Sequence, residues 1–238
     1  MVDQTIFLDP SDYVGVTFWL ISAAMVAATF FFWVERDRAV GKWKTSLTVA
    51  AMVTGIAAIH YFYMREVWIY TEASPTVFRY VDWLLTVPLQ IVEFYLILAA
   101  IVAVATSLFW RLLIASVVML VAGYIGEVNA ANSNMLWVCF VIGLLAWFYI
   151  IREVFAGEAS QINANSGNAA SQRAFGALRI IVTVGWAIYP LGYLYGYMGH
   201  GDVQALNIIY NLADFVNKIA FGVVIWAAAT DSSNNQSA

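Results

Sequence analysis

Long apolar stretches dominate this sequence, and they restrict its possible folds more than any other feature. A helix needs about 20 mainly apolar residues to cross the hydrocarbon core of a bilayer, and seven such segments follow one another along the chain. They are Tyr13–Val34, Thr45–Met64, two spans within Ala73–Gly126 joined by a tight turn near Thr106–Arg111, Met135–Ile151, Ile180–Met198 and Val203–Thr230. Because lipid offers no partners to backbone N–H and C=O groups, each span is predicted to be helical. The sequence therefore predicts an all-α membrane protein, a single seven-helix domain over residues 1–238 with short polar tails at 1–11 and 231–238.

The composition supports this class and excludes several others. Hydrophobic residues make up 63% of the chain and charged residues 11%, whereas about a quarter of the residues in a soluble domain are charged. The net charge of -4 is spread along the chain and gives no basis for nucleic-acid binding. The single cysteine, Cys139, excludes an intrachain disulfide and a cysteine-ligated metal. The N-terminal sequence "MVDQTIFLDPSD" has no basic segment, so no signal peptide is expected.

Basic residues are distributed unequally between the two sides of the predicted bundle. Eight lie in or beside the loops after spans one, three and five, whereas the opposite side has only Arg65. The eight are Arg36, Arg38, Lys42, Lys44, Arg111, Arg152, Arg173 and Arg179. Because cytoplasmic loops carry an excess of Lys and Arg, the N-terminus is predicted outside and the C-terminus in the cytoplasm. The polar stretch "GEASQINANSGNAAS" (157–171), which follows span five, is predicted to be a flexible loop.

Span three contains ionisable groups that a purely structural membrane helix would not need. It reads "RYVDWLLTVPLQIVEFY", and Arg79, Asp82, Thr86, Gln90 and Glu93 fall on one helical face. Charged groups at mid-membrane are costly and mark functional sites by default. The two acids are separated by about 16 Å along the helix axis. They are too far apart for a paired catalytic dyad and are interpreted as two separate positions along one pathway through the span.

The last span contains a lysine and an acid one turn apart. In "LADFVNKIAF", Asp214 and Lys218 face the same way. A desolvated lysine can condense with an aldehyde as a Schiff base, and Asp82 and Asp214 could then serve as counter-ions. Other readings stay open at this point. The pair could be a structural ion pair, Glu93 a carboxylate reaching the interface, and His60 an ordinary interior histidine.

Three segments carry a resemblance to a known family. Together, "RYVDWLLTVPLQIVEFY", "WAIYP" and "DFVNK" resemble the microbial rhodopsins, most closely the proteorhodopsins, and the resemblance extends over all seven spans. It implies all-trans retinal bound as a protonated Schiff base to Lys218, and light-driven proton export across a bacterial inner membrane. By the same resemblance, Asp82 is the primary proton acceptor and counter-ion, Glu93 the cytoplasmic proton donor and Asp214 the second counter-ion.

The resemblance also assigns residues around these groups. Arg79 matches the arginine below the Schiff base, and Thr86 matches the middle position of the family's motif on span three. Gln90 matches the colour-tuning position, where glutamine is typical of blue-absorbing members, so a blue-absorbing form is predicted. The retinal pocket is matched by Trp83, Met119, Trp186, Tyr189, Pro190 and Tyr210.

The resemblance further implies an oligomer. In the family, a histidine on span two hydrogen-bonds the acceptor carboxylate and modulates its pKa, and His60 is at the matching position. That histidine also contacts a tryptophan on span one of a neighbouring protomer. Trp19 is the candidate for this contact, because it lies in the same half of the bilayer as His60. A ring-shaped pentamer or hexamer is the expected assembly.

Several functions compete with a proton pump. A sensory photoreceptor that signals to a partner protein is disfavoured by Glu93 and by a polar C-terminal tail of only eight residues, but the sequence leaves it open. A light-gated channel or a pump for another ion is a further alternative; sodium and chloride pumps of the family replace Asp82 or Glu93 with other residue types, and this chain keeps both. A ligand-activated seven-helix receptor would leave Lys218 without a role. A hydrolytic enzyme is not indicated, since the predicted activity is ion transport.

Overall fold

Helices account for nearly all of the chain over residues 9–198 and 201–237, which the computed structural model describes. They are α1 (Tyr13–Glu35), α2 (Trp43–Thr71), α3 (Thr76–Ala99), α4 (Thr106–Val128), α5 (Ser133–Ala156), α6 (Glu158–Ala164), α7 (Ala169–Ile180), α8 (Ile188–Tyr197) and α9 (Val203–Ser237). A 3₁₀ turn, Arg36–Arg38, follows α1, and a π-helical turn, Ile181–Gly185, joins α7 to α8. Seven stretches in the described part are long and apolar enough to cross a membrane, and the sixth consists of α7, the π turn and α8. The predicted seven-helix fold is therefore confirmed.

Two predicted boundaries are wrong because hydropathy reports which residues lie in the bilayer, whereas a helix can end before or after the apolar segment ends. The turn predicted near Thr106–Arg111 lies earlier: residues 100–105 make the connection, and α4 begins at Thr106. The connection is itself apolar, so no polar or glycine signal marks it. Likewise α2 continues past Met64 to Thr71, and Glu72 ends it with a left-handed backbone (φ 52°). The additional turns carry polar residues, as expected for a helix that extends beyond the hydrocarbon core.

The prediction of a flexible loop at 157–171 is also wrong. Helix α6 occupies the first half of this stretch, and α7 begins at Ala169. Polar contacts stabilise the starts of both helices: Arg111 of α4 binds the Glu158 carboxylate at 2.5 Å, and the Asn168 side chain caps α7 by accepting from the Ser171 N–H at 2.9 Å. The polar composition of this stretch therefore does not indicate a loop. Because α7 is the first part of the sixth span, that span begins at Ala169 and not at the predicted Ile180.

The π turn fixes the sixth span to its neighbours. In this turn the Trp186 N–H reaches the Ile181 carbonyl, five residues back, at 3.0 Å. Two other carbonyls of the turn accept bonds from side chains of other helices: Trp147 of α5 donates to the Val182 oxygen at 3.0 Å, and Asn217 of α9 donates to the Gly185 oxygen at 3.0 Å. Such turns are rare and occur frequently at functional sites.

Helix α9 packs closely against the sixth span and against α1. A Cβ atom at Gly192 would lie 2.4 Å from the Tyr210 ring, and one at Gly222 would lie 2.4 Å from the Phe32 ring. Only glycine permits these approaches without repacking. The Asp12 carboxylate caps α1 by accepting from the Gly15 N–H at 2.9 Å. Helix α9 also meets α3 at the centre of the bundle, where Lys218 forms an ion pair with Asp82.

Candidate functional site

The centre of the bundle holds a lysine between two carboxylates. Asp82 of α3 and Asp214 of α9 are fully buried, and Lys218 is 2% exposed. The Lys218 Nζ donates to the Asp214 Oδ2 at 3.0 Å and also forms an ion pair with the Asp82 Oδ2. The sequence placed one acid beside the lysine by helical spacing, and the fold brings the second acid from a helix more than 130 residues away.

The two carboxylates are supported very differently. Asp214 also accepts from three neutral donors: the Tyr61 hydroxyl at 2.8 Å, the Tyr189 hydroxyl at 2.6 Å and the Trp83 indole at 3.2 Å. Asp82 accepts only from the lysine, and its Oδ1 has no hydrogen-bond partner among the described residues. Thr86, one of the predicted site residues, donates its hydroxyl to the Asp82 backbone carbonyl at 2.9 Å and not to the carboxylate. Asp214 is therefore held as a fixed anion, whereas the surroundings of Asp82 depend on the lysine.

Arg79 supplies the second buried cation of the site. It is 2% exposed, one turn before Asp82 on α3, and its guanidinium lies 5.3 Å from the centre of the Tyr210 ring. Its hydrogen-bond partners are the side-chain oxygens of Asn207 and Asn211 on α9. With two acids and two cations the buried site is close to neutral, which limits the cost of burying charge.

Glu93 is buried apart from this cluster. It lies three turns further along α3, about 16 Å from Asp82, and is fully buried. Neither carboxyl oxygen has a hydrogen-bond partner among the described residues, although the Ser46 hydroxyl of α2 lies nearby. An isolated buried carboxyl group with no cation beside it is well suited to hold a proton.

A cavity of about 110 Å³ lies beside the lysine site and is lined by side chains of α3, α4, α5, the sixth span and α9. All six predicted pocket residues line it: Trp83, Met119, Trp186, Tyr189, Pro190 and Tyr210. Because Trp83 and Tyr189 also bond Asp214, the cavity adjoins the ion-pair cluster. Largely apolar and aromatic walls next to the lysine site fit a long, flat, conjugated aldehyde such as retinal.

Gln90 and the two residues predicted for the oligomer contact lie outside this cavity. Gln90 is buried on α3, and its Nε2 has no hydrogen-bond partner among the described residues. The His60 Nδ1 lies 2.9 Å from its own helix's Ile56 carbonyl, and the described structure contains no hydrogen bond between His60 and Asp82. Trp19 is 46% exposed on the outer surface of α1, with Arg65 of α2 5.6 Å from its ring centre.

Sequence reasoning missed several polar residues of the site. Asn207 and Asn211 continue the stripe of Asp214 and Lys218 along α9 at spacings of four, three and four residues, so helical periodicity could have found them. Glu127 of α4 also lines the cavity and accepts from two hydroxyls, Tyr80 at 2.9 Å and Tyr197 at 3.2 Å. Its position near the end of span four gave no comparable signal.

Comparisons with known proteins agree with this geometry. The family model described as "Bacteriorhodopsin-like protein" matches residues 12–232. The chain is 59% identical to the green-light absorbing proteorhodopsin of Gamma-proteobacterium EBAC31A08 over 230 residues, which cover 96% of this chain and 91% of the relative. The solved structure of a blue light-absorbing proteorhodopsin from Med12 matches with a TM-score of 0.80 and 55% identity, covering 93% of this chain and all of that one. Xanthorhodopsin, described as a light-driven ion pump with dual chromophore, matches with a TM-score of 0.84 and 28% identity, covering 97% and 98%.

Proposed function

Because the chain belongs to the bacteriorhodopsin-like family, we propose that it is a light-driven outward proton pump with all-trans retinal linked to Lys218 as a protonated Schiff base. When bound, retinal supplies light absorption and a photoisomerisation that changes the surroundings of the linkage nitrogen. The Lys218 Nζ stands in for that nitrogen. The observation that carries the proposal is the unequal support of the two carboxylates around this atom.

The unequal support favours Asp82 as the proton acceptor. Asp214 keeps three donors besides the lysine, so protonating it would break established hydrogen bonds. Among the described residues, Asp82 has one donor, the lysine nitrogen itself, and its Oδ1 has no hydrogen-bond partner. When the proton moves from Nζ to the Asp82 Oδ2, positive and negative charge disappear together, and no other bond to the carboxylate is lost. Asp214 and Arg79 remain charged and keep the site ordered.

Glu93 is the proposed proton donor on the opposite side of the lysine. The excess of basic residues in the loops after α1, α3 and α5 supports a cytoplasmic location for this end of α3. Glu93 then returns a proton to the lysine nitrogen from the cytoplasmic side, while Asp82 gives its proton outward. Transfer in opposite directions from two separated acids gives the pump its direction.

Replacing the donor tests its role. The Glu93→Gln variant should keep its colour but return a proton to the lysine nitrogen about 10²- to 10⁴-fold more slowly, because the amide cannot supply one. Flash photolysis of the purified protein measures this late step. Glu158→Gln, which changes a solvent-facing carboxylate of α6, is the control and should keep the normal rate. An unchanged late step in Glu93→Gln would show that another group is the donor.

Gln90 is proposed to favour absorption of blue light. Its carboxamide is buried, and the oxygen end of the amide dipole can stabilise positive charge near the lysine end in the ground state. Excitation moves that charge away, which widens the energy gap. We expect Gln90→Leu to absorb at longer wavelength, measured in a steady-state spectrum. Gln172→Leu on α7 should leave the spectrum unchanged, and a shift of Gln90→Leu to shorter wavelength would contradict the assignment.

His60 and Trp19 are proposed to connect the site to neighbouring protomers. The exposure of Trp19 leaves its ring available to a second copy of the chain, and His60 is on the adjacent helix α2. In this proposal His60 modulates the pKa of Asp82, and the assembly is a pentamer or hexamer in the bacterial inner membrane. Cross-linking of single cysteines introduced at the two positions tests whether they meet across protomers.

Illumination of whole cells tests the pump directly. Cells that express the chain and are supplied with retinal should acidify their medium in light, and a protonophore should abolish the change. A coloured protein that causes no light-driven pH change at a pH near 8 would support a slow photoreceptor that signals to a partner. A colourless protein would refute retinal binding altogether.

A further inference from the structure

We propose that Asn207 and Asn211 are positioning residues that hold the Arg79 guanidinium, and that this hold sets the pH at which Asp82 takes up a proton. The inference rests on the proposed function, because the protonation of Asp82 is followed through the colour of bound retinal. Neither asparagine lines the cavity or bonds a carboxylate of the site. Their effect is therefore exerted through Arg79.

The contacts between the three side chains are direct and buried. The Arg79 Nη2 donates to the Asn207 Oδ1 at 2.9 Å and to the Asn211 Oδ1 at 3.1 Å, and the Nη1 donates to the Asn211 Oδ1 at 3.2 Å. Both asparagines are fully buried, and Arg79 is 2% exposed. Two successive turns of α9 thus present oxygens to one guanidinium.

Further hydrogen bonds fix which end of each carboxamide faces the arginine. The Asn211 Nδ2 donates to the Thr17 hydroxyl of α1 at 3.0 Å, and the Asn207 Nδ2 donates to the Val203 carbonyl at 2.9 Å. Because both NH₂ groups have partners on the far side, rotating either amide would lose a bond and bring N–H groups against Arg79. The oxygens therefore face Arg79, and the arrangement is specific for a cation.

Neutral acceptors leave the arginine's charge available to the site. A carboxylate in place of either amide would neutralise Arg79 at close range, whereas a carboxamide orders it without cancelling its charge. No carboxylate of the described residues lies within ion-pair distance of the guanidinium. Charges interact strongly in this low-dielectric interior, so a fixed Arg79 stabilises the ionised form of Asp82 by an amount that depends on its position.

Other titratable or charged groups also surround Asp82 and Arg79. They are His60 and Tyr61 of α2, Tyr80 of α3, Glu127 of α4, Tyr189 of α8, and Tyr210, Asp214 and Lys218 of α9. Among these, Lys218 is the only lysine or arginine, and its own proton moves during the proposed cycle. Arg79 is therefore the constant positive charge of the site, and the two asparagines determine where its guanidinium lies.

The test is a pH titration of the visible absorption band of purified, retinal-bound protein. The Asn207→Ala/Asn211→Ala variant should shift the midpoint of the colour change by about half a pH unit or more, in whichever direction the released guanidinium moves. The same pair of substitutions in an Arg79→Gln background should leave that background's midpoint unchanged, because no guanidinium remains to be positioned. The Asn211→Asp variant should raise the midpoint by about one unit or more, since the new carboxylate neutralises Arg79.

Controls separate this inference from the proposed function. Asn129→Ala, which removes an exposed asparagine at the end of α4, should leave the midpoint unchanged. If no visible band forms in the unmodified protein, the proposed function fails. If the band forms normally but the double alanine variant titrates like the unmodified protein, or shifts equally without Arg79, the inference about the asparagines is overturned and the proposed function stands.

Discussion

The Lys218→Ala variant will form no visible absorption band with retinal and will cause no light-driven pH change. Lys218 is the only buried lysine in the described part of the chain, so alanine leaves no amine inside the bundle to condense with the aldehyde. Loss of the band should be complete. An absorption spectrum of membranes incubated with retinal measures it, and a visible band in this variant would refute the proposed linkage.

The loss of a buried cation requires a matched control. Without the lysine, Asp82 and Asp214 are two carboxylates in one buried site, and breaking a buried ion pair costs about 3–5 kcal/mol. Lys218→Arg keeps the positive charge but has no primary amine to form a Schiff base. It should therefore fold and be inserted normally, as judged by thermal unfolding of the helices, and still remain colourless. A folded but colourless arginine variant separates the chemical role of the lysine from its structural role.

The second large effect is expected at the acceptor. Asp82→Asn should keep bound retinal but slow proton transfer from the lysine nitrogen about 10²- to 10⁴-fold, which would abolish measurable pumping. It should also move the visible band to longer wavelength, because the ground-state charge at the lysine end loses a counter-ion. Flash photolysis and the pH of illuminated vesicles measure the two effects.

Asp214→Asn provides the comparison for Asp82→Asn. The structure gives Asp214 three donors besides the lysine and gives Asp82 none. Asp214→Asn leaves the acceptor oxygen of Asp82 in place, so some proton transfer from the lysine nitrogen should survive in this variant. If Asp214→Asn lost transfer completely while Asp82→Asn kept it, the assignment of acceptor and fixed counter-ion would have to be exchanged.

Charged residues made the centre of the site predictable from sequence. Arg79, Asp82, Glu93, Asp214 and Lys218 stand out in apolar spans, and their helical spacing correctly places each on a buried face. The contact between α3 and α9 was inferred from chemistry, since a buried lysine needs anions. The structure confirms that these two helices meet at the lysine.

Neutral polar residues and helix ends were harder to predict. Asn207 and Asn211 carry no charge, so they do not stand out although they follow the same stripe as the lysine. The apolar connection at 100–105 lacks a turn signal, and α6 lies in a stretch whose composition is typical of a loop. In two of these cases the relevant contact is a tertiary one: Arg79 of α3 bonds the asparagines, and Arg111 of α4 binds the start of α6.

The π turn at Ile181–Gly185 makes the sixth span sensitive to deletion. A π turn contains one residue more than the α-helical path it replaces, so removing a single residue here would restore a regular helix. The residues after the turn, including Tyr189, would keep their facing, because the turn absorbs the extra residue. The Val182 carbonyl would instead accept an N–H of its own helix and would lose the bond that it now accepts from Trp147 of α5. Homologous sequences aligned through this segment should therefore keep its length even where its residues vary, and a one-residue gap would indicate a sixth span that lacks this bond to α5.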